Sequence, residues 1–224
     1  MQHSAIIEND TEPTKVYLPK PLAQRLPVYY RLLRELSDQG VERITVAELG
    51  TRIGILPAQI RHDFSYVDNC EPQSNTYVVD DLLAAFGKML GEDRRVKLVL
   101  VGSGNIGRAL ASYEGFRKRG YQFVAVFDED NALNSRVGVL EVRPISTLND
   151  YLRSHQVDIG VVTVPAPAAQ EITDVFVNQG VKAIWNFAPV RLLVPFDVVV
   201  EHIHLSDSLM SLVLRLHAGQ TSQQ

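Results

Sequence analysis

The apolar positions of the N-terminal third fall at helical spacing. Leu22, Leu26, Tyr29, Leu33 and Leu36 step by four and three, laying one stripe along a helix that begins near Pro21 and ends at Gly40. Pro27 lies inside that pattern, where its missing N–H predicts a kink or a late helix start. Thr45-Val46-Ala47-Glu48 reads as a capping box opening a short helix from Val46 to about Ile53. Gly54 turns the chain, and Pro57 suits the first position of a third helix carrying Gln59, Ile60, Arg61, His62 and Phe64. Together these elements make a helix-turn-helix, in which Gln59, Arg61 and His62 are candidates to read a DNA groove. A loop over Asn69–Asn75 and a short extended stretch, Thr76–Val79, follow. Asp80-Asp81 then heads a linking helix, Leu82–Leu90, and Gly91-Glu92-Asp93 marks a boundary.

From Val96 onward the pattern changes to apolar runs of strand length separated by helical segments. Val96–Val101 reads as a strand and Ile106–Lys118 as a helix; Gln122–Phe127 is a second strand, with a short loop or helix at Asn131–Arg136. Ser146 is placed to cap a helix through His155. Val157–Val164, Lys182–Trp185 and Val198–Ile203 read as further strands, Pro167–Gln179 as a helix stopped by Gly180, and Leu205–Leu216 as an apolar-rich terminal helix. Such alternation predicts an α/β domain with a doubly wound parallel sheet. An apolar helix at the end of such a domain is suited to packing against a second subunit.

The candidate chemistry sits where the first of these strands ends. Gly102-Ser103-Gly104-Asn105-Ile106-Gly107 is a G-x-G-x-x-G turn between strand and helix. Gly102 would allow the tight turn, Gly104 the approach of a pyrophosphate, and Gly107 close packing of helix on strand. Free backbone N–H groups and the helix dipole would then face the phosphates. Asp128 ends the next strand, about 20 residues on, where a carboxylate accepts the ribose hydroxyls of NAD. The motif alone is weak evidence, and a glycine turn that binds nothing is the alternative.

Composition narrows the field. The chain has 224 residues, 46% hydrophobic, enough for a packed core, and a net charge of −4 that excludes binding nucleic acid by overall charge. Locally the balance differs: Lys15–Phe64 carries an excess of lysine and arginine, whereas Ser65–Leu90 sets Lys88 against Asp68, Glu71, Asp80 and Asp81. One cysteine, Cys70, leaves no internal disulfide, and no flanking cation activates its thiol. No signal peptide or membrane span is legible, so a cytoplasmic protein without membrane association is expected. His202 and His204 would share one face of a strand and offer a metal pair or catalytic histidine, although a plain strand end near a subunit seam is favoured. No metal ligand set is expected.

With these residues in view, the chain resembles the Rex family of redox-sensing transcriptional repressors. The resemblance runs from about Lys15 to His217 and rests on RLPVYYRLL at Arg25–Leu33, AQIRHDFSY at Ala58–Tyr66, VGSGNIGRAL at Val101–Leu110 with Tyr113 after it, FDED at Phe127–Asp130, TVPAPAAQEITD at Thr163–Asp174 and WNFAPVRLLVP at Trp185–Pro195. It implies an N-terminal winged-helix domain (residues 15–91, after a loose arm at 1–14), a Rossmann domain at 92–204, and a C-terminal helix and tail at 205–224 swapped between the subunits of a homodimer. It implies that NADH and NAD⁺ are ligands rather than reagents, and that cofactor binding controls operator DNA binding. The cofactor would be held by Gly102, Gly104, Asn105, Ile106 and Gly107, by Asp128 at the adenine ribose, and by Thr163, Val164, Pro165, Asn186 and Phe187 at the nicotinamide end. DNA would be met by Gln59, Arg61, His62, Ser65 and Tyr66, and redox state coupled between the domains through Arg31, Tyr113, His204 and Leu205.

Two positions depart from the family. Its wing is glycine-rich and basic, whereas Val67–Tyr77 here carries Asp68 and Glu71 and keeps only the tyrosine, Tyr77. His204 stands where the family has an aspartate, which leaves the sign of the redox response open. Three readings follow: an NADH-responsive repressor, a paralogue that binds NAD(H) with lost or altered DNA binding, and, least favoured, a small NAD-dependent oxidoreductase.

Overall fold

The computed structural model describes residues 18–68, 70–129 and 135–221. The expected arm at 1–14 lies outside them, as does most of the loop or helix expected at 131–136. The chain divides into two compact units, one ending at Asp93 and the other beginning at Arg94.

The first unit comprises α1 (Lys20–Asp38), β1 (Arg43–Ile44), α2 (Val46–Ile53), α3 (Pro57–Phe64), β2 (Tyr77–Val78) and α4 (Val79–Leu90). Helix α1 buries the expected stripe, Leu22, Leu26, Tyr29, Leu33 and Leu36, and runs through Pro27 from Lys20. The late start allowed by the sequence does not occur, because burial of Leu22 and Leu26 outweighs the lost hydrogen bond. The capping box forms: Glu48 N–H donates to Thr45 Oγ1 at 3.1 Å, and Thr45 N–H to the Glu48 carboxylate at 2.9 Å. Gly54 closes α2 in the left-handed conformation, φ 71°, and Pro57 opens α3. Strands β1 and β2 pair antiparallel, Ile44 opposite Tyr77. Four aromatic rings anchor this core, Phe64 meeting Tyr29, Tyr77 and Phe86 edge-on. Helix α4 begins at Val79 rather than Leu82, so that Asp80 and Asp81 lie in its first turn, where the dipole favours them.

The second unit is a seven-stranded sheet in the order β5-β6-β4-β3-β7-β8-β9. Its strands are β3 (Val96–Val101), β4 (Tyr121–Asp128), β5 (Arg136–Val137), β6 (Leu140–Pro144), β7 (Ile159–Val162), β8 (Ala183–Asn186) and β9 (Val199–His202). All neighbours are parallel except the β5–β6 hairpin. The helices are α5 (Asn105–Ala111), α6 (Glu114–Lys118), α7 (Leu148–Ser154), α8 (Ala166–Asn178) and α9 (Leu205–Thr221). Alternation along β3 divides the core: Leu98 and Leu100 pack with Phe123 and Phe116 on one face, Val99 and Val101 with Phe127, Leu152 and Phe176 on the other.

Three elements differ from their sequence expectation. The single helix at Ile106–Lys118 is broken: α5 stops at Ala111, and Tyr113 is extended as the N-cap of α6. Gly115 accommodates this arrangement, since a Cβ there would strike the Tyr113 ring, which lies across it. Ser146 caps nothing; it sits in a 3₁₀ turn, Ile145–Thr147, ahead of α7. The β5–β6 hairpin was not anticipated. Helix α9 continues to Thr221 and exposes Leu205, Leu209, Met210, Leu212, Val213, Leu214 and Leu216.

Candidate cofactor site and recognition surface

The strand order places the candidate site. From β3 the chain winds outward through β4 and β6, then returns to β7 on the other side of β3 and winds through β8 and β9. The crevice beyond the carboxyl ends of β3 and β7 is therefore the topological switch point, where ligands bind open α/β sheets. Gly102 follows β3 there and Thr163 follows β7.

Packing decides what each glycine does. Gly102 has φ 104°, and a Cβ on it would lie 2.7 Å from the Thr163 carbonyl carbon. Thr163 Oγ1 donates to the Gly102 carbonyl at 2.7 Å and to the Val101 carbonyl at 3.0 Å, tying the two strand ends together. A Cβ on Gly107 would run into the Gly102 carbonyl oxygen. Gly104 is different, because a Cβ added there meets nothing within 4 Å. Internal packing leaves the space above Gly104 open, at the exposed head of α5, whose first-turn N–H groups have no acceptor within the helix. A cradle of this shape fits a pyrophosphate.

Asp128, the candidate residue for the adenine ribose, ends β4 beside the glycine turn. Its Oδ2 accepts from Ser103 N–H and Ser103 Oγ, each at 2.5 Å, so the carboxylate is held against the glycine turn. Ser103, which has no role in the glycine pattern itself, thus helps to orient Asp128. At the other end Thr163, Val164 and Phe187 are half-buried around the switch point and Pro165 is exposed, with Phe187 N–H donating to the Val162 carbonyl at 2.8 Å.

Asn186 is engaged within the protein itself. It is fully buried, and its amide shapes the turn after β8: Oδ1 accepts from Ala188 N–H at 2.9 Å, and Nδ2 lies 2.9 Å from the Val190 carbonyl and 3.0 Å from His202 Nδ1. An amide nitrogen only donates, so His202 Nδ1 accepts. The His202 and His204 rings lie parallel, centroids 6.3 Å apart. Among the described residues no group of three or more His, Cys, Asp or Glu is arranged to hold a metal ion.

Trp185 stands half-buried in an aromatic ladder rather than facing a ligand. Exposed Tyr113 meets Phe116 edge-on at 5.0 Å, Phe116 meets Trp185 at 5.6 Å, and Trp185 meets Phe187 at 4.7 Å. Arg31 is exposed on α1 of the first unit, while His204 and Leu205 are exposed at the head of α9.

The candidate recognition surface is the end of α3. Arg61, His62, Ser65 and Tyr66 are exposed there, with the His62 and Tyr66 rings edge-to-face at 5.3 Å and Ser65 Oγ donating to the His62 carbonyl at 2.7 Å. Gln59 is half-buried, and its Nε2 donates to Asp63 Oδ1 at 2.8 Å. Asp63 is buried, and also accepts from Arg25 Nε at 2.6 Å, Arg25 Nη2 at 2.7 Å and Tyr29 Oη at 2.6 Å. Burial alone would raise the Asp63 pKa; the bonds from Arg25, Tyr29 and Gln59 outweigh it and hold the carboxyl below its ordinary range. The sequence signal for Gln59 was its i, i+4 spacing to Asp63.

Beyond α3 the chain makes a hairpin turn at Gln73–Thr76. Thr76 N–H donates to the Gln73 carbonyl at 3.1 Å, and Ser74 and Asn75 both take positive φ, 53° and 66°. That is a type I′ turn built without glycine. Cys70 is half-buried; burial, then Asp68 and Asp81, push its thiol up to about 11, so it is inert as expected.

Comparison with known proteins follows this division. A family model described as the N-terminus of a putative DNA-binding protein matches residues 17–65, and one described as a CoA binding domain matches 93–190. The redox-sensing transcriptional repressor Rex of Clostridium botulinum (strain Alaska E43 / Type E3) is 43% identical over 195 residues, 87% of this chain and 93% of that protein. Its namesake from Clostridioides difficile (strain 630) is 39% identical over 198 residues, 88% of this chain and 94% of that protein. Two crystal structures of RSP are 35% identical and cover 92% of this chain: a complex with β-NADH, TM-score 0.84 and 97% of that chain, and a complex with β-NAD⁺ and operator DNA, TM-score 0.85 and 96% of that chain.

Proposed function

The chain belongs to the Rex family of redox-sensing transcriptional repressors, and from that premise we propose that it binds NADH and NAD⁺ at the switch-point crevice and couples that binding to operator DNA. The observation that carries the cofactor half is the contrast among the glycines: Gly102 and Gly107 are demanded by packing, whereas Gly104 leaves open space at a helix N-terminus. Gly104, Asn105, Ile106 and Gly107 hold the pyrophosphate through their backbone, and Asp128, oriented by Ser103, takes the adenine ribose. Thr163, Val164, Pro165 and Phe187 wall the nicotinamide end, with Asn186 acting through the turn it stiffens. The cofactor supplies a redox-dependent shape and charge at that wall, and these residues read it.

The DNA half rests on Arg61, His62, Ser65 and Tyr66 at the exposed end of α3. A homodimer built on the exposed apolar face of α9 presents two such ends to a palindromic operator. Cofactor regulates by binding one arrangement of the two units more tightly than another; Arg31, Tyr113, His204 and Leu205 are the coupling positions. A bacterial repressor of this kind works in the cytoplasm, and no helix among the described residues is long and apolar enough to cross a membrane.

The test is a calorimetric titration with NADH and with NAD⁺, followed by anisotropy titration of a Rex-type palindromic duplex at low salt with each cofactor. Saturable cofactor binding and an operator affinity that changes with the cofactor are expected. Cofactor binding without operator binding under any condition favours the paralogue reading, which the acidic hairpin residues Asp68 and Glu71 motivate.

A further inference from the structure

The segment after α3 carries no cation of its own: between Val67 and Tyr77 the charged residues are Asp68 and Glu71. A guanidinium nevertheless stands at its tip. Arg43, exposed on β1, lies opposite Val78 on β2 and reaches diagonally to the turn. Its Nε donates to Thr76 Oγ1 at 3.0 Å and its Nη2 to Gln73 Oε1 at 3.0 Å, with the Gln73 carbonyl at 3.5 Å.

The chemistry of those partners matters. Arg25, Arg34, Arg153 and Lys182 each face a carboxylate, Asp63, Glu92, Asp150 and Asp197 respectively. Arg43 is held only by a hydroxyl, a side-chain amide and a backbone carbonyl, and forms no ion pair among the described residues. Its Nη1 makes no hydrogen bond among them either. The side chain is therefore fixed in direction while its full charge remains uncompensated. A guanidinium held in this way is preorganised for an anion, and phosphate suits its planar fork. The same small sheet carries the turn that follows α3, so the charge belongs to the recognition surface.

We propose that Arg43 is a DNA-binding residue: it supplies from β1 the backbone-phosphate contact that the turn itself lacks, with Gln73 and Thr76 as positioning residues. This inference rests on the operator-binding reading above.

Anisotropy titrations of a labelled Rex-type palindromic duplex with the full chain, over about 50–300 mM salt, test it. Arg43→Gln is expected to weaken binding about tenfold at low salt and to reduce the magnitude of the log–log salt slope by about 1 for each arginine engaged. Arg43→Lys keeps the charge and retains the slope. A Gln73→Ala/Thr76→Val double variant releases the side chain without removing its charge, so it retains the slope and loses affinity only a few-fold. Far-UV circular dichroism and NADH titration establish that each variant is folded. A wild-type slope for Arg43→Gln overturns the inference, as does a double variant indistinguishable from Arg43→Gln, which would make Arg43 a latch and nothing more. Absence of operator binding by the wild-type chain, with and without cofactor, overturns the repressor reading and this inference with it.

Discussion

The glycine turn of the second unit and the recognition surface of the first are built on opposite plans. At Gly102 and Gly107 the geometry follows from the absence of side chains: backbone approaches backbone where any Cβ collides. At the end of α3 the geometry follows from side chains that hold one another, Asp63 gathering Arg25, Tyr29 and Gln59, and Arg43 gathering Gln73 and Thr76. A site of the first kind can be read from glycine spacing. A site of the second kind depends on partners far apart in sequence, so its polar residues look free until the fold is known. It also tolerates change in its outward residues as long as the network beneath survives.

The largest expected effect comes from breaking that network. Asp63→Ala leaves Arg25 and Tyr29 without their buried acceptor, and loss of one partner from a buried ion pair costs about 3–5 kcal/mol. Trp185, the one tryptophan, lies in the second unit and reports on it alone. Asp63→Ala should therefore move the unfolding transition seen by circular dichroism to lower urea while the Trp185 fluorescence transition stays in place. Movement of both together would mean that the two units unfold as one. The same carboxylate predicts an acid dependence. Its folded pKa lies below its unfolded value of about 4, so its contribution is complete above that value. It is lost as pH falls through the folded pKa, and Asp63→Asn should flatten stability across that acid limb.

The glycine turn should respond in two distinguishable ways. Gly107→Ala drives a methyl into the Gly102 carbonyl, so both stability and cofactor binding suffer. The Trp185 transition should fall by about 1–3 kcal/mol, the range for overpacking, and NADH binding should be lost. Gly104→Ala meets no protein atom. It should leave the Trp185 transition within about 0.5 kcal/mol, as for a surface change, and still weaken NADH at least tenfold, read by calorimetry. Equal stability losses for the two variants would erase the distinction that assigns Gly104 to the ligand.

Legibility in the sequence follows the same division. Capping box, Gly54 turn, Pro57 helix start and the central strand were readable because each depends on neighbours within a few residues. Asp128 is a candidate by its distance from the glycines, whereas Ser103, which bonds it, carries no signal of its own as a serine inside a glycine motif. Asn186 follows a strand as a ligand would, yet its bonds close the turn beside it. The break between α5 and α6 is not legible because no helix-breaking residue stands at it; the Tyr113 ring lying over Gly115 is a side-chain placement that only the fold reveals. Hairpin β5–β6 was missed because β5 has only 2 residues, too few for any alternation to register.

The smallest expected effect bears most directly on the two plans. Ser74 and Asn75 occupy left-handed positions at the hairpin tip, φ 53° and 66°, where a side chain is tolerated at a cost. That cost is about 1–2 kcal/mol for an ordinary L-residue, and lower for asparagine, whose short polar side chain bonds locally. Glycine would remove it, but would add about 0.5–1 kcal/mol of unfolded-chain entropy to be lost on folding. Ser74→Gly should therefore stabilise the first unit by roughly 0.5 kcal/mol, and Asn75→Gly should be close to neutral. Both are read as shifts in the circular-dichroism transition with Trp185 fluorescence unchanged. Neither removes Arg43 or its two side-chain partners, so operator affinity and its salt slope should hold. An alanine at Gly107 and a glycine at Ser74 would then move stability in opposite directions, because backbone contact imposes the glycine in one turn and a side-chain network stands in for it in the other. A Ser74→Gly variant that loses stability would show that the serine contributes contacts worth more than its backbone strain, and the hairpin tip would count as a second position whose residue is dictated by packing.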